Sequence, residues 1–173
     1  MQLKGKKILF FAGPLYEDLE LWYPKIRLEE AGATTVVAGC TPDRTYQGKK
    51  GYPITVDTHV DEVNPDEFDA LVIPGGYAPD IMRRSERLLE VTRRIFEAGK
   101  PVAFICHAGW VPISAGIVKG RRGTSVGAIR DDLVNAGMKW EDSPVVVDGN
   151  MITSRTPADL ALFMPELLKA LGG

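Results

Sequence analysis

Cys106 and His107 stand side by side after the apolar run at 102–105 and before a stretch rich in small residues. A thiol beside an imidazole, at the turn from a buried strand into a helix, is the arrangement that lifts a nucleophile above a sheet. The helix N-terminus brings partial positive charge there and favours thiolate over thiol. The backbone N–H of His107, with those of Gly75 and Gly76, suits a developing oxyanion. His107 is the candidate general base. Glu17 is the candidate carboxyl partner, hydrogen-bonding the sulfur if protonated or fixing the imidazole if ionised. Against this stands a plainer reading, in which Cys106 is a small buried hydrophobe like most free cysteines. Residue types and spacing alone leave the two evenly matched.

Other motifs lose to their surroundings. Residues 123–127 read Gly-Thr-Ser-Val-Gly, a G-x-S-x-G match, but hydrolases of that type place the histidine after the serine. Both histidines, His59 and His107, precede Ser125. G-x-G-x-x-G and Walker A patterns are absent, and the Cys and His residues lack metal-ligand spacing, so neither cofactor nor metal is expected. Cys40 reads as a packing residue, and the basic pairs Arg83-Arg84 and Arg93-Arg94 as solvated faces. Tyr77, beside the glycine pair, and Trp110, one turn after Cys106, are candidate pocket residues.

These residues need a scaffold, and the chain supplies a parallel one. Short apolar runs at 8–12, 34–38, 70–73 and 102–105 alternate with helical patterns, the signature of a parallel sheet covered on both faces. Helices are expected over 20–30 (ended by Gly32, with Pro24 bending or delaying it), over 85–98 and over 128–135. A short one should start at Asn64. A final helix from Thr156 shows one apolar face and should kink at Pro165. Residues 46–56 suggest an irregular β excursion, and 145–147 with 151–154 a hairpin around Asp148-Gly149-Asn150. Ligands of such sheets bind beyond the carboxyl ends of the strands, where strand order reverses. There 13–17, 74–77 and Cys106-His107 would meet.

The 173 residues suffice for one domain, 1–173, with a core of its own. With 21 Lys+Arg against 23 Asp+Glu, the net charge of −2 offers no field to attract nucleic acid or anionic lipid. Two cysteines make no disulfide framework. The first apolar run stops at Gly13-Pro14, with acids following, unlike a secretory leader, and no stretch approaches a membrane span. A cytoplasmic, reducing location is the expectation, which leaves thiols free to react.

Along 17–21 (Glu-Asp-Leu-Glu-Leu), 69–80 (DALVIPGGYAPD), 99–107 (GKPVAFICH), 145–150 and 154–160 the sequence resembles the PfpI family of intracellular proteases. That family lies within the class I glutamine-amidotransferase-like superfamily. The resemblance implies a flavodoxin-like three-layer α/β/α sandwich with a nucleophile elbow, and a cysteine-dependent hydrolase of peptidase or deglycase type. It implies Cys106 as nucleophile, His107 as its partner, Glu17 as the carboxyl touching the sulfur, and the N–H groups of Gly76 and His107 as oxyanion hole. The third triad member would be Asp80 of a neighbouring subunit, so a homo-oligomer, dimer or hexamer, is implied. Substrates would be small carbonyl compounds, glycated amino acids or peptides. The alternatives are a glyoxalase-type lyase turning methylglyoxal into lactate and a redox sensor or chaperone working through Cys106. The chain departs from the family pattern at Phe104, Ala108-Gly109, Trp110, Pro112, Val126 and Gly127.

Overall fold

The computed structural model describes residues 2–172. The chain runs through β1 (Lys7–Ala12), α1 (Asp18–Glu30), β2 (Thr34–Gly39), β3 (Thr45–Gln47), β4 (Pro53–Thr55), β5 (Thr58–His59) and β6 (Ala70–Ile73). It continues through α2 (Ala78–Met82), α3 (Glu86–Glu97), β7 (Val102–Ile105), α4 (Trp110–Ala115), β8 (Arg122–Gly123), α5 (Arg130–Asn135) and β9 (Lys139–Trp140). The hairpin β10 (Val145–Asp148) and β11 (Met151–Ser154) leads to α6 (Leu160–Ala170).

Seven strands form the central sheet in the order β10-β11-β7-β6-β1-β2-β5, parallel except for the β10–β11 pair. β6 and β7 are buried along their whole length, which is why they read as unbroken apolar runs rather than alternating ones. Helices α1 and α6 pack together over one face, and α3 and α4 over the other. The chain leaves β1 towards β2 and β5, then returns to the opposite side of β1 as β6. Strand order therefore reverses between β1 and β6, and the crevice beyond their carboxyl ends lies beside the end of β7.

Several local expectations are corrected. Helix α1 starts at Asp18 rather than Glu20, because Glu17 caps it: its Oε2 accepts the Glu20 N–H at 2.9 Å. Pro24 sits inside that helix without delaying it, at the cost of the bond its missing N–H would give the Glu20 carbonyl. The segment at Asn64 is a single 3-10 turn, Pro65–Glu67, and the expected helix over 128–135 begins at Arg130 after another, Gly127–Ile129. The final helix starts at Leu160, after the 3-10 turn Pro157–Asp159, and its helical assignment continues through Pro165 to Ala170. The β excursion is the antiparallel hairpin β3–β4. The short α2 and the β8–β9 pair had no counterpart in the sequence pattern; both are too brief to show a period. No helix among the described residues is long and apolar enough to cross a membrane.

Candidate active site

Ile105 closes β7 in extended conformation, and Cys106 then turns to φ +62° before the 3-10 turn Cys106–Gly109 enters α4. A left-handed backbone costs a side-chain-bearing residue roughly 1–2 kcal/mol. Such strain persists where the surroundings enforce it, commonly at functional sites. Among the described residues the other non-glycine with positive φ is Leu15, at +56°. Leu15 and Cys106 line the same cavity, of about 560 Å³.

The glycine pair lets three loops close on one another. Gly76 has φ +80° and is bridged to Tyr16, and a Cβ there would lie 2.5 Å from both the Glu17 nitrogen and the Leu15 carbonyl oxygen. A Cβ on Gly75 would lie 2.6 Å from Glu20 Oε2 and 2.9 Å from the Cβ of Cys106. The second contact brings the Gly75 backbone against the stem of Cys106, so any side chain at Gly75 would displace the sulfur or the carboxyl beside it.

That carboxyl belongs to Glu20, where the sequence reading had placed Glu17. As the helix cap, Glu17 spends Oε2 on the Glu20 N–H, whereas Glu20, three residues on, turns inward, fully buried. Glu20 Oε2 accepts the Gly75 N–H at 2.7 Å, its Oε1 has no hydrogen-bond partner, and the carboxyl lies against the Cys106 thiol. Burial pushes the Glu20 carboxyl up to about 8, opposed by the Gly75 bond and reinforced by the charge of Glu17. Cys106 is pushed up to about 12 by burial and then by a negative charge on Glu20, against the pull of the nearby backbone N–H groups of His107 and Gly76. The two groups are one coupled pair. When the Glu20 carboxyl keeps its proton, the charge that raises Cys106 is gone.

The His107 Nδ1 is 3.4 Å from Cys106 Sγ, and burial, followed by the charge of Lys49, lowers the imidazole's pKa. A neutral imidazole beside the thiol can accept its proton. Trp110 stands edge-on to the His107 ring at 5.4 Å between centroids and anchors its Nε1 on Asp132 Oδ2 at 2.9 Å. It lines the cavity together with Tyr77, Val126 and Pro157, while Tyr77 is largely exposed at the rim. Ser125 is buried in a loop, its hydroxyl donating to the Val126 carbonyl at 2.8 Å and accepting from Trp140 Nε1 at 3.0 Å. Asp80 lies in α2, paired with Arg84, and is not brought to Cys106 within one chain. Among the described residues no group of three or more Cys, His, Asp and Glu is placed to hold a metal ion.

Sequence reasoning missed Glu20, Leu15, Lys49 and Thr156 as cavity residues. Glu20 had a signal: an acidic cap followed three residues later by a second glutamate has the spacing of a capping box, which turns the later residue towards the start of its helix. Lys49 had none, because a loop far along the chain brings it in.

The model of the DJ-1/PfpI family matches residues 6–170. The chain belongs to the DJ-1/PfpI family. It is 52% identical over 165 residues to Deglycase PfpI of Pyrococcus furiosus, covering 95% of this chain and 99% of that one. It is 41% identical over 170 residues to protein/nucleic acid deglycase 2 of Escherichia coli, covering 97% and 99%. Among solved structures, Drosophila melanogaster DJ-1beta superposes with a TM-score of 0.89 at 30% identity, over 97% of this chain and 91% of that one. A two-domain Anabaena variabilis protein with DJ-1/ThiJ/PfpI-like and ferritin-like domains matches with a TM-score of 0.94 at 40% identity; there the chain spans half of the longer protein, 50%, and 96% of itself. The doubly covered, mostly parallel sheet is thus the flavodoxin-like fold of this family, and enzymes named deglycases are among the chain's relatives.

Proposed function

We propose that the chain is a cysteine-dependent enzyme acting on carbonyl compounds, with adducts of reactive dicarbonyls on amines as its substrates. The observation that carries this reading is the convergence, in one cavity, of Cys106 at φ +62°, the His107 imidazole 3.4 Å from its sulfur, the fully buried Glu20 carboxyl and the backbone of Gly76. The names of the relatives support the substrate class.

The chemistry is redox-neutral. Cys106 sulfur adds to an aldehyde carbon, the carbonyl π pair moves to oxygen, and the Gly76 and His107 N–H groups receive that oxyanion. The thiol proton passes to the oxygen through His107 or Glu20. With a neighbouring keto group, the hydrogen of the thiohemiacetal carbon moves as a proton to the adjacent carbon through an enediol, giving a 2-hydroxy thioester. Water hydrolyses that thioester to a 2-hydroxy acid and restores the thiol. An amine that carried the dicarbonyl as a hemiaminal leaves as the free amine when the aldehyde is released to sulfur. One adduct and one water thus give one amine and one 2-hydroxy acid.

Glu20 is the proton carrier of this scheme, because its carboxyl is buried against Cys106 and, among the described residues, its Oε1 has no hydrogen-bond partner. Asp80 acts from a neighbouring subunit, which would supply the carboxylate that His107 lacks: the imidazole's polar partner among the described residues is Cys106 itself. Purified protein and Cys106→Ala, each given methylglyoxal, a methylglyoxal-modified amino acid and an unstructured peptide, test the reading. Turnover of the adduct by the wild type and its loss in the variant are expected. Full adduct turnover by Cys106→Ala would refute it.

A further inference from the structure

The cavity wall is mostly apolar, formed by Leu15, Tyr77, Trp110 and Val126, and its charges are few. Glu20 is fully buried and bound to the Gly75 N–H, and burial favours its uncharged form. Glu17 is buried and committed to the first turn of α1, where the helix N-terminus offsets its charge. Lys49 is the one exposed charged side chain on the lining, and among the described residues it takes part in no ion pair.

Its backbone is fixed with unusual care for a loop. The Lys49 N–H donates to the Tyr16 carbonyl at 2.7 Å, tying it to the β1–α1 connection that also carries Leu15 and Glu17. The Asp18 carboxylate receives the N–H groups of Lys50 at 2.7 Å and Tyr52 at 2.9 Å. Gly48 donates to the Tyr52 carbonyl and Gly51 to the Gly48 carbonyl, both at 2.9 Å. The loop is therefore a closed turn docked on the active-site helix, and the lysine stem starts from a set point on the cavity's edge. The ammonium is near enough to weigh on both Glu20 and His107.

We infer that Lys49 is the specificity-determining residue of this pocket, selecting carbonyl substrates that carry a carboxylate close to the reacting carbon. The inference rests on Cys106 being the nucleophile, and it narrows the substrate class to anionic members such as dicarbonyl adducts of free amino acids. A lone exposed cation beside an apolar wall attracts an anion electrostatically and leaves the neutral part of the substrate to the aromatic and aliphatic surface.

Alkylation of Cys106 tests this without any assumption about turnover. Iodoacetate and iodoacetamide differ in charge and little in size, and labelling is read by mass on the Cys106 peptide. Lys49→Met should lower the iodoacetate-to-iodoacetamide rate ratio about fivefold, Lys49→Arg should keep it, and high salt should bring the wild type towards the methionine variant. The ratio of kcat/KM for the methylglyoxal adduct of glycine to that of glycinamide should fall in parallel. A ratio unchanged by Lys49→Met, in either assay, overturns the role of Lys49 and leaves the nucleophile standing. Failure of both reagents to label Cys106 in the wild type overturns the nucleophile, and this inference with it.

Discussion

Cys40 and Cys106 are the chain's two thiols, each one residue beyond a parallel strand at the carboxyl end of the same sheet. Both are partly buried and both are raised by burial, Cys40 to about 11 and Cys106 to about 12. Residue type, strand position and desolvation therefore do not separate them. The separation lies in what surrounds each sulfur. Cys106 sits at φ +62°, with the His107 imidazole 3.4 Å from its sulfur and the buried Glu20 carboxyl beside it. Cys40 is raised chiefly by burial, and among the described residues its sulfur makes no side-chain hydrogen bond. It packs where Gly13 leaves room, so close that a Cβ at that glycine would lie 2.6 Å from its sulfur. What distinguishes the two thiols is the turn that follows each strand, not the cysteine.

Removing each sulfur in turn separates the two thiols by the largest effect. Cys106→Ala should lower turnover of a dicarbonyl adduct by about a thousandfold or more, since the covalent step is lost. Cys40→Ala should leave it within about twofold. Comparable losses from both, measured as kcat/KM on folded protein, would mean that the elbow gives no special reactivity.

Glu20 is the next test. Glu20→Gln keeps a group of the same shape and an acceptor for Gly75, but cannot transfer a proton, and kcat should fall about a hundredfold. Stability should move the other way. The folded carboxyl titrates near 8 against an ordinary 4.5, so the folded state holds the proton more tightly than the unfolded chain does. That contribution is complete below the ordinary value and is lost as pH rises through the folded one, on the order of a few kcal/mol in all. The wild type should therefore lose thermal stability relative to Glu20→Gln between about pH 5 and about pH 9. Parallel melting curves across that range would show that Glu20 is ionised throughout.

The strands that carry the site were legible because β1, β6 and β7 are buried apolar runs, and a run such as Leu71-Val72-Ile73 has few other uses. Cys106, His107 and the glycine pair were legible because they abut those runs. Glu20 was misassigned to Glu17 because two glutamates three residues apart look alike until the helix start is known, and Pro24 argued for a later start than the cap enforces. Lys49 was invisible: what places it is Asp18, accepting from a loop more than thirty residues away, at a separation of 32 for Lys50. Local periodicity carries no trace of such a bond.

Asp80 marks where one chain stops being sufficient. Its carboxylate pairs with Arg84 on the surface of α2, while among the described residues His107 has no carboxylate partner of its own. If a neighbour's Asp80 completes the elbow, Asp80→Ala should lower kcat about tenfold, with the protein still eluting as an oligomer by light scattering. A wild-type monomer with full activity would leave Asp80 no such part.

The smallest effect belongs to Cys40 itself. Its sulfur fills the space between the end of β1 and α2, where Gly13 also faces Ala78 and Met82. Cys40→Ala removes one heavy atom from that contact and should cost about 1 kcal/mol of stability, because a small cavity beside packed neighbours relaxes only in part. Turnover should stay level, as should the labelling of Cys106 by iodoacetamide. Cys40→Ser, with a hydroxyl of similar size, should cost at least as much, since a polar group would sit where a weakly polar sulfur packs. Equal stability of the wild type and both variants in chemical denaturation would show that Cys40 does not pack tightly. The contrast would then be between a site and a vacancy, rather than between a nucleophile and a structural thiol.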